Sequence, residues 1–267
     1  MVREYYIDNI YQINFSTLIF KLNKPNSIPK ELVIEFGRRI HLTKYSTEKP
    51  FKPPQFCTLL RKYLLNNRIQ IVEQPDFERI AIIRTASKYD RYNLIIELFG
   101  KGNIILTDNE NKIIHASSYR KMRDRSVIRG ETIKPPPQKG LDPQKIGLAE
   151  FSQKIKETHG QLRKVLGTIL SVSAVYAEEF LKLAGVKNIT CEDITTEMIG
   201  EIWKAVLLNL NKRENPQPCI IYNNQNLPVN IVPFPLTIYN DYRFEYYPTL
   251  NDAFDEYFTK KIFEQKS

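Results

Sequence analysis

Arg120, Lys121, Arg123, Arg125 and Arg129 place five cationic side chains within ten residues of SYRKMRDRSVIRG, opposed only by Asp124 before Glu131. Guanidinium forks hold phosphate bidentately, and several together displace condensed counterions. This spacing therefore offers salt-sensitive affinity for a polyanion without reading its sequence. The competing reading is a sheet edge kept soluble by its charge. Other residue sets offer less chemistry. His41, His115 and His159 have no partner at metal or triad spacing, so each is read as structural and no metal site is expected. Neither GxGxxG nor a Walker lysine loop is present. Gly100-Lys101-Gly102-Asn103 lies between two strand-like runs, where a phosphate cradle would need a strand leading into a helix. Glu178 and Glu179 read as the solvated face of a helix. Nothing here forms an enzyme signature.

A cationic stretch needs a rigid support, and the rest of the chain supplies one. Lys and Arg total 39 against 30 Asp and Glu, a net charge of +9 with a pI near 9.3. That is the balance of a protein that meets nucleic acid. Residues 3 to 44 carry Tyr-, Ile- and Phe-rich runs (YIDNIYQI, STLIFKL, ELVIEF) broken by Asn, Pro, Ser and Lys turns, the mark of antiparallel sheet. In KPPQFCTLLRKYLLNNR the period changes. Phe56, Leu59, Leu60, Tyr63 and Leu64 recur at three and four, predicting one helix of about three turns between Pro53-Pro54 and Asn66-Asn67. Strands resume in IQIVEQ, ERIAIIRTA and the meander LIIELFGKGNIILTDNENKIIHASS. There Gly100 and Gly102 permit positive φ, and Asp108 to Asn111 make the second turn. LIIELF is too apolar for an exposed strand and is expected at the centre of the sheet.

Pro135, Pro136 and Pro137 forbid both helix and ladder pairing, so a β-rich domain is expected over 1–137. Helical spacing occupies 138–212, with Gly160 and Gly185 as helix stops. Residues 213–267 are expected to form an Asn-turned hairpin, CIIYNNQNLPVNIVPF, and a helix begun by Thr249. The fold class is thus α+β. Cys57, Cys191 and Cys219 are scattered and odd in number, which argues against a disulfide framework and for a reducing compartment. No run approaches the roughly 20 apolar residues of a membrane span, and MVREYYIDNIY has no apolar signal core. A cytoplasmic protein without a membrane partner is expected.

Six blocks carry a family resemblance: FGRRIHLT (36–43), PPQFCTLLRKYL (53–64), LIIELFGKGNIILTD (94–108), YRKMRDRSVIRGETIKPPP (119–137), YAEEFLKLAGV (176–186) and TLNDAFDEYF (249–258). With them in this order, the chain resembles the N-terminal part of the NFACT family, the ribosome quality control tailing factors of the RqcH and NEMF type. The resemblance implies a β-rich domain like the N-terminal domain of formamidopyrimidine-type DNA glycosylases, followed by a helix-hairpin-helix module. It implies a cofactor-free RNA binder in place of an enzyme. Such a protein binds the rRNA of a large ribosomal subunit that still carries stalled peptidyl-tRNA, and holds a tRNA so that the chain is extended without template. The family's Asp-Arg pair, part of its tRNA-positioning surface, falls on Glu78-Arg79. Asp90-Arg91, twelve residues later, is literally Asp-Arg but lies in a turn and is read as a decoy. Arg120, Lys121, Arg123, Arg125 and Arg129 become the RNA-facing edge.

Several departures accompany the resemblance. Met1 falls at the strand that follows the family's first helix, whose acidic residue serves tailing. Glu78 stands in place of Asp, moving the carboxylate by about one C–C bond length. Ser171-Val172-Ser173-Ala174 occupies the place of hairpin glycines that would present N–H groups to a phosphate. No heptad run follows residue 258, so a fragment or a shortened paralogue is expected. Two other readings stay open. One is a glycosylase-like enzyme of the same fold, which needs an amino-terminal Pro-Glu and a four-cysteine zinc finger that this chain does not offer. The other is a fibronectin-binding-type adhesion protein.

Overall fold

The alternating run YIDNIYQIN forms β1 (Tyr6–Asn14), the first strand of a four-strand meander with β2 (Thr17–Asn23), β3 (Lys30–Glu35) and β4 (Arg39–Thr43). A helix, α1 (Gln55–Leu64), follows Pro53-Pro54 and ends where Leu65 turns extended and Asn66 takes φ +64°. A second meander then runs through β5 (Arg68–Glu73), β6 (Ile80–Ala86), β7 (Arg91–Glu97), β8 (Asn103–Asp108) and β9 (Ile113–Ala116). All nine strands form one antiparallel sheet in the order β4-β3-β2-β1-β5-β6-β7-β8-β9. The structure, a computed structural model, describes residues 1–121, 125–137 and 140–264. These divide into two compact units, Met1–Pro137 and Gln138–Ser267.

The two meanders join at a narrow seam. β1 and β5 share only the Tyr6–Arg68 pair in the ladder, so beyond it the edge of β1 lacks a strand partner. Helix α1 covers that opening. The Ile10 carbonyl accepts the Cys57 thiol at 3.2 Å and Arg61 Nε at 2.7 Å, which meets the requirement that a buried carbonyl be paired. Cys57, Leu60 and Leu64 of α1 enter a core built from both meanders, with Ile10, Phe20 and Ile34 from one and Ile69, Leu94, Ile96 and Leu106 from the other.

LIIELF is interior, with both faces covered, yet β7 is the third strand from one end and β5 is the centre. Leu94 and Ile96 face the main core, while Ile95 joins Ile80, Ile105, Ile113, Ala116 and Val127 in a second cluster on the other face. An apolar run measures how many faces are buried, and does not report how many strands lie on each side.

At the far end the sheet meets itself. Gly37, in the β3–β4 turn, donates its N–H to the Glu97 carbonyl at 3.1 Å. A Cβ on Gly102, in the β7–β8 turn, would lie 2.0 Å from Gly37 N. Gly100 and Gly102 adopt φ +57° and +68°, as the turn reading requires. Gly102 has the further duty of letting two backbones touch.

In the second unit, α2 (Leu148–Lys156), α3 (Leu162–Ile169), α4 (Ala174–Ala184) and α5 (Thr196–Lys212) pack around Phe151, Leu166, Phe180, Ile202 and Trp203. Gly160 takes φ +116° after α2, and Gly185 closes α4 in the left-handed conformation. The expected hairpin pairs Cys219–Tyr222 with Pro228–Val232 across a turn in which Asn226 has φ +57°. A further strand, Arg243–Tyr246, has no counterpart in the sequence reading and pairs with the other side of Cys219–Tyr222. Its sequence, RFEY, is too short to show a period. Thr249 accepts the Asp252 N–H at 3.1 Å and starts the last helix, Leu250–Glu264.

Candidate nucleic-acid interface

The five-cation stretch does not fold as one surface. β10 (Arg120–Lys121) pairs with β11 (Ser126–Val127), and Arg120 and Lys121 are exposed. Arg123 lies outside the described residues. Arg125 leaves the RNA-facing set, because its side chain is only 5% exposed and its Nη1 lies 2.5 Å from the Glu97 carboxylate. Its Nε donates to the Lys134 carbonyl at 2.6 Å. A guanidinium paired this way inside the fold is committed to structure. Arg129 is exposed, but it sits elsewhere. Gly130 after it donates to the Ile113 carbonyl at 2.8 Å, and the bonds Ile113–Glu131 and Ile133–Asn111 lay residues 130–133 along the outer edge of β9. The charged stretch thus protects a sheet edge with one part and presents cations with another.

What aims Arg120 and Lys121 is Asn103, a residue that reads in sequence as part of a turn. Buried at 1% exposure, its amide Nδ2 donates to the Ser118 carbonyl at 2.9 Å, and its Oδ1 accepts Ser117 Oγ at 2.7 Å and Ser118 N at 3.1 Å. Ser117 and Ser118 are fixed to the start of β8, and the next residues emerge at that end of the sheet. Such a staple is visible only in three dimensions, because an Asn after Gly reads as turn chemistry.

Glu78 and Arg79 come to the same end. They close the β5–β6 turn, where Gln74 Nε2 donates to the Glu78 carbonyl at 2.7 Å and Asp76 has φ +49°. The Arg79 carbonyl accepts the Leu98 N–H at 2.8 Å, which sets Arg79 beside the turn carrying Lys101. Arg79, Lys101, Arg120 and Lys121 are all exposed. Among the described residues none of these four makes an ion pair with an acidic side chain. Asp90-Arg91 lies at the opposite end of β6, where Ser87 Oγ accepts the Asp90 N–H at 3.0 Å in the turn and Arg91 begins β7. Three turns far apart in sequence therefore make one cationic end.

The chain as a whole has counterparts among known proteins. NFACT N-terminal and middle domains match residues 3–267. The chain belongs to the NFACT family. The archaeal Rqc2 homologue aRqcH of Methanocaldococcus jannaschii is 32% identical over 250 residues, covering 91% of this chain and 37% of that protein. The Rqc2 homologue RqcH of Bacillus subtilis is 33% identical over 167 residues, 56% of this chain and 28% of that one. Human ribosome quality control complex subunit NEMF is 34% identical over 114 residues, 43% of this chain and 10% of that one. The chain spans well under half the length of these curated relatives. Among solved structures, the fibrinogen-binding protein of Staphylococcus aureus superposes with TM-score 0.77 at 23% identity, covering 96% of this chain and 92% of that chain. The N-terminal part of the fibronectin/fibrinogen-binding protein of Streptococcus suis gives TM-score 0.70 at 21% identity, with 97% and 93% covered. These two likenesses concern the fold, α+β with a large antiparallel sheet.

Two further features of this NFACT-family chain bear on the residues singled out. Glu178 is solvated as expected, but Glu179 is fully buried, and its carboxylate accepts Thr237 N at 2.9 Å, Thr237 Oγ1 at 3.0 Å and Ile238 N at 3.0 Å. It caps the short 3-10 turn Thr237–Tyr239 and ties α4 to the C-terminal segment. No local pattern signals this, because the acceptor and donors lie 58 and 59 residues apart. The three histidines find separate partners: Arg39 for His41 at 3.3 Å, Tyr119 for His115 at 3.3 Å and Glu192 for His159 at 2.8 Å. Among the described residues no group of His, Cys, Asp or Glu could hold a metal ion, and no helix is long and apolar enough to cross a membrane.

Proposed function

We propose that this chain is the RNA-binding part of a ribosome quality control factor that engages the large ribosomal subunit carrying stalled peptidyl-tRNA and positions tRNA for template-free C-terminal extension. The reading is carried by the cationic end formed from Arg79, Lys101, Arg120 and Lys121, in a chain whose family relatives are named as ribosome quality control factors. A rigid sheet bearing cations without acidic partners suits contact with an RNA backbone, where phosphate contacts set position and little sequence is read. In this reading the ribosome makes the peptide bond, and the protein supplies placement. The β-rich unit serves as a domain like that of the formamidopyrimidine-type glycosylases. Helices α3 and α4, joined by a turn in which Ser171 takes φ +52°, serve as the helix-hairpin-helix module.

Two outcomes test this. Arg79→Ala is expected to weaken tRNA engagement more than large-subunit binding in filter-binding assays, since it carries the family's pair with Glu78. Equal weakening of both would remove Arg79 from a tRNA-specific role. Combined Lys101→Ala, Arg120→Ala and Lys121→Ala is expected to lower affinity for large subunits and to reduce the slope of log K against log salt by roughly one for each phosphate no longer neutralised. Co-sedimentation with large subunits at two salt concentrations reads both, and an unchanged slope would return these residues to a solvated edge.

A further inference from the structure

Arg129 is separated from the other cations, and its surroundings have a different chemistry. Tyr92 and His115 face α1 across β7 and β9, and Tyr63 of α1 packs on both, with ring centroids 5.5 Å from Tyr92 and 6.0 Å from His115. Tyr119, half exposed at 50%, closes the group through its hydroxyl, 3.3 Å from His115 Nδ1. Two exposed cations flank it. Lys62 Nζ lies 5.5 Å from the Tyr63 ring centroid. Burial first, then Arg129 and Lys62, hold the His115 imidazole below its ordinary range, so the ring is neutral near pH 7. A core cluster needs no half-exposed tyrosine and no pair of cations at its rim. Aromatic faces beside positive charge are what binds unpaired bases, since every base has a π face and each is flanked by phosphates.

We propose that the exposed ring of Tyr119, held from behind by the buried His115 and by Tyr63 and rimmed by Lys62 and Arg129, forms a stacking notch for one unpaired base of a single-stranded RNA segment, with the flanking phosphates on the two cations. The proposal rests on the RNA-binding reading above and adds a different kind of contact, next in sequence to Arg120. The cationic end holds backbone, whereas the notch selects strands whose bases are free to leave a helix.

Fluorescence anisotropy with a labelled single-stranded oligouridine and a hairpin RNA of equal charge tests it on the full chain. Tyr119→Leu removes the aromatic face at a half-exposed position and leaves the fold in place. It is expected to weaken the single strand about tenfold with an unchanged salt slope, and to leave the hairpin within about twofold. Lys62→Ala with Arg129→Ala is expected to reduce the single-strand slope. A 2-aminopurine placed in the oligomer is expected to be quenched by the parent protein and recovered in Tyr119→Leu. Equal weakening for both RNAs, or no quenching by the parent, would overturn the notch and leave the RNA-binding reading intact. Failure of the parent to bind either RNA or large subunits would overturn both.

Discussion

Replacing Arg125 or Glu97 by Ala is expected to destabilise the first unit by about 3–5 kcal/mol, because each leaves the other charge buried without its partner. The two side chains are 5% and 7% exposed and meet at 2.5 Å, and Arg125 also meets the Lys134 carbonyl. The effect reaches the surface. Arg125 precedes β11, whose partner β10 carries Arg120 and Lys121, so the buried pair fastens the cationic hairpin to the sheet beside Val127. The single variants are therefore also expected to weaken the RNA binding proposed above, although the Arg125 side chain is itself buried. Replacing both partners with apolar residues, Glu97→Leu with Arg125→Met, is expected to recover most of the stability, since desolvation of the two charges is then avoided. Denaturant midpoints of the four proteins decide the matter. Single variants within about 1 kcal/mol of the parent would mean that water reaches the pair and that the strap is held by Val127 alone.

The second large effect is expected from one methyl group. In Gly102→Ala the new Cβ would lie 2.0 Å from Gly37 N and 2.4 Å from the Phe36 carbonyl carbon, with φ held at +68°. No flexible side chain can yield there, since both neighbours are backbone. The turn must open, which breaks the Gly37–Glu97 bond and displaces Lys101 and the Leu98 segment that meets Arg79. A loss of about 3 kcal/mol or more is expected, combining the left-handed penalty of about 1–2 kcal/mol with the clash. Gly100→Ala is the matched control. It has φ +57° and nothing within 4 Å of its Cβ, so only the conformational penalty of about 1–2 kcal/mol applies. Equal melting temperatures for the two variants would show that the turns separate freely, and the cationic end would then be a looser assembly than its geometry indicates.

Local pattern sufficed for much of the fold. The period-two runs, the three-and-four spacing in QFCTLLRKYL, the glycines at positive φ and the Thr249 cap are short-range constraints, and each element formed where they pointed. The six family blocks likewise marked the family before any fold was known. Charge counting could not decide which cations face outward. Arg120, Lys121, Arg125 and Arg129 look alike in sequence, yet one pairs with Glu97 28 residues away, two are launched by an Asn103 staple, and one lies along β9. Glu178 and Glu179 divide in the same way, one solvated and one fully buried. Sequence by itself thus determined the helices, most of the strands and the excess of positive charge, though not the short strand Arg243–Tyr246. Only the tertiary structure decided which charges remain free and which turns meet, because ion pairing and backbone approach depend on distances between residues that the chain order keeps apart.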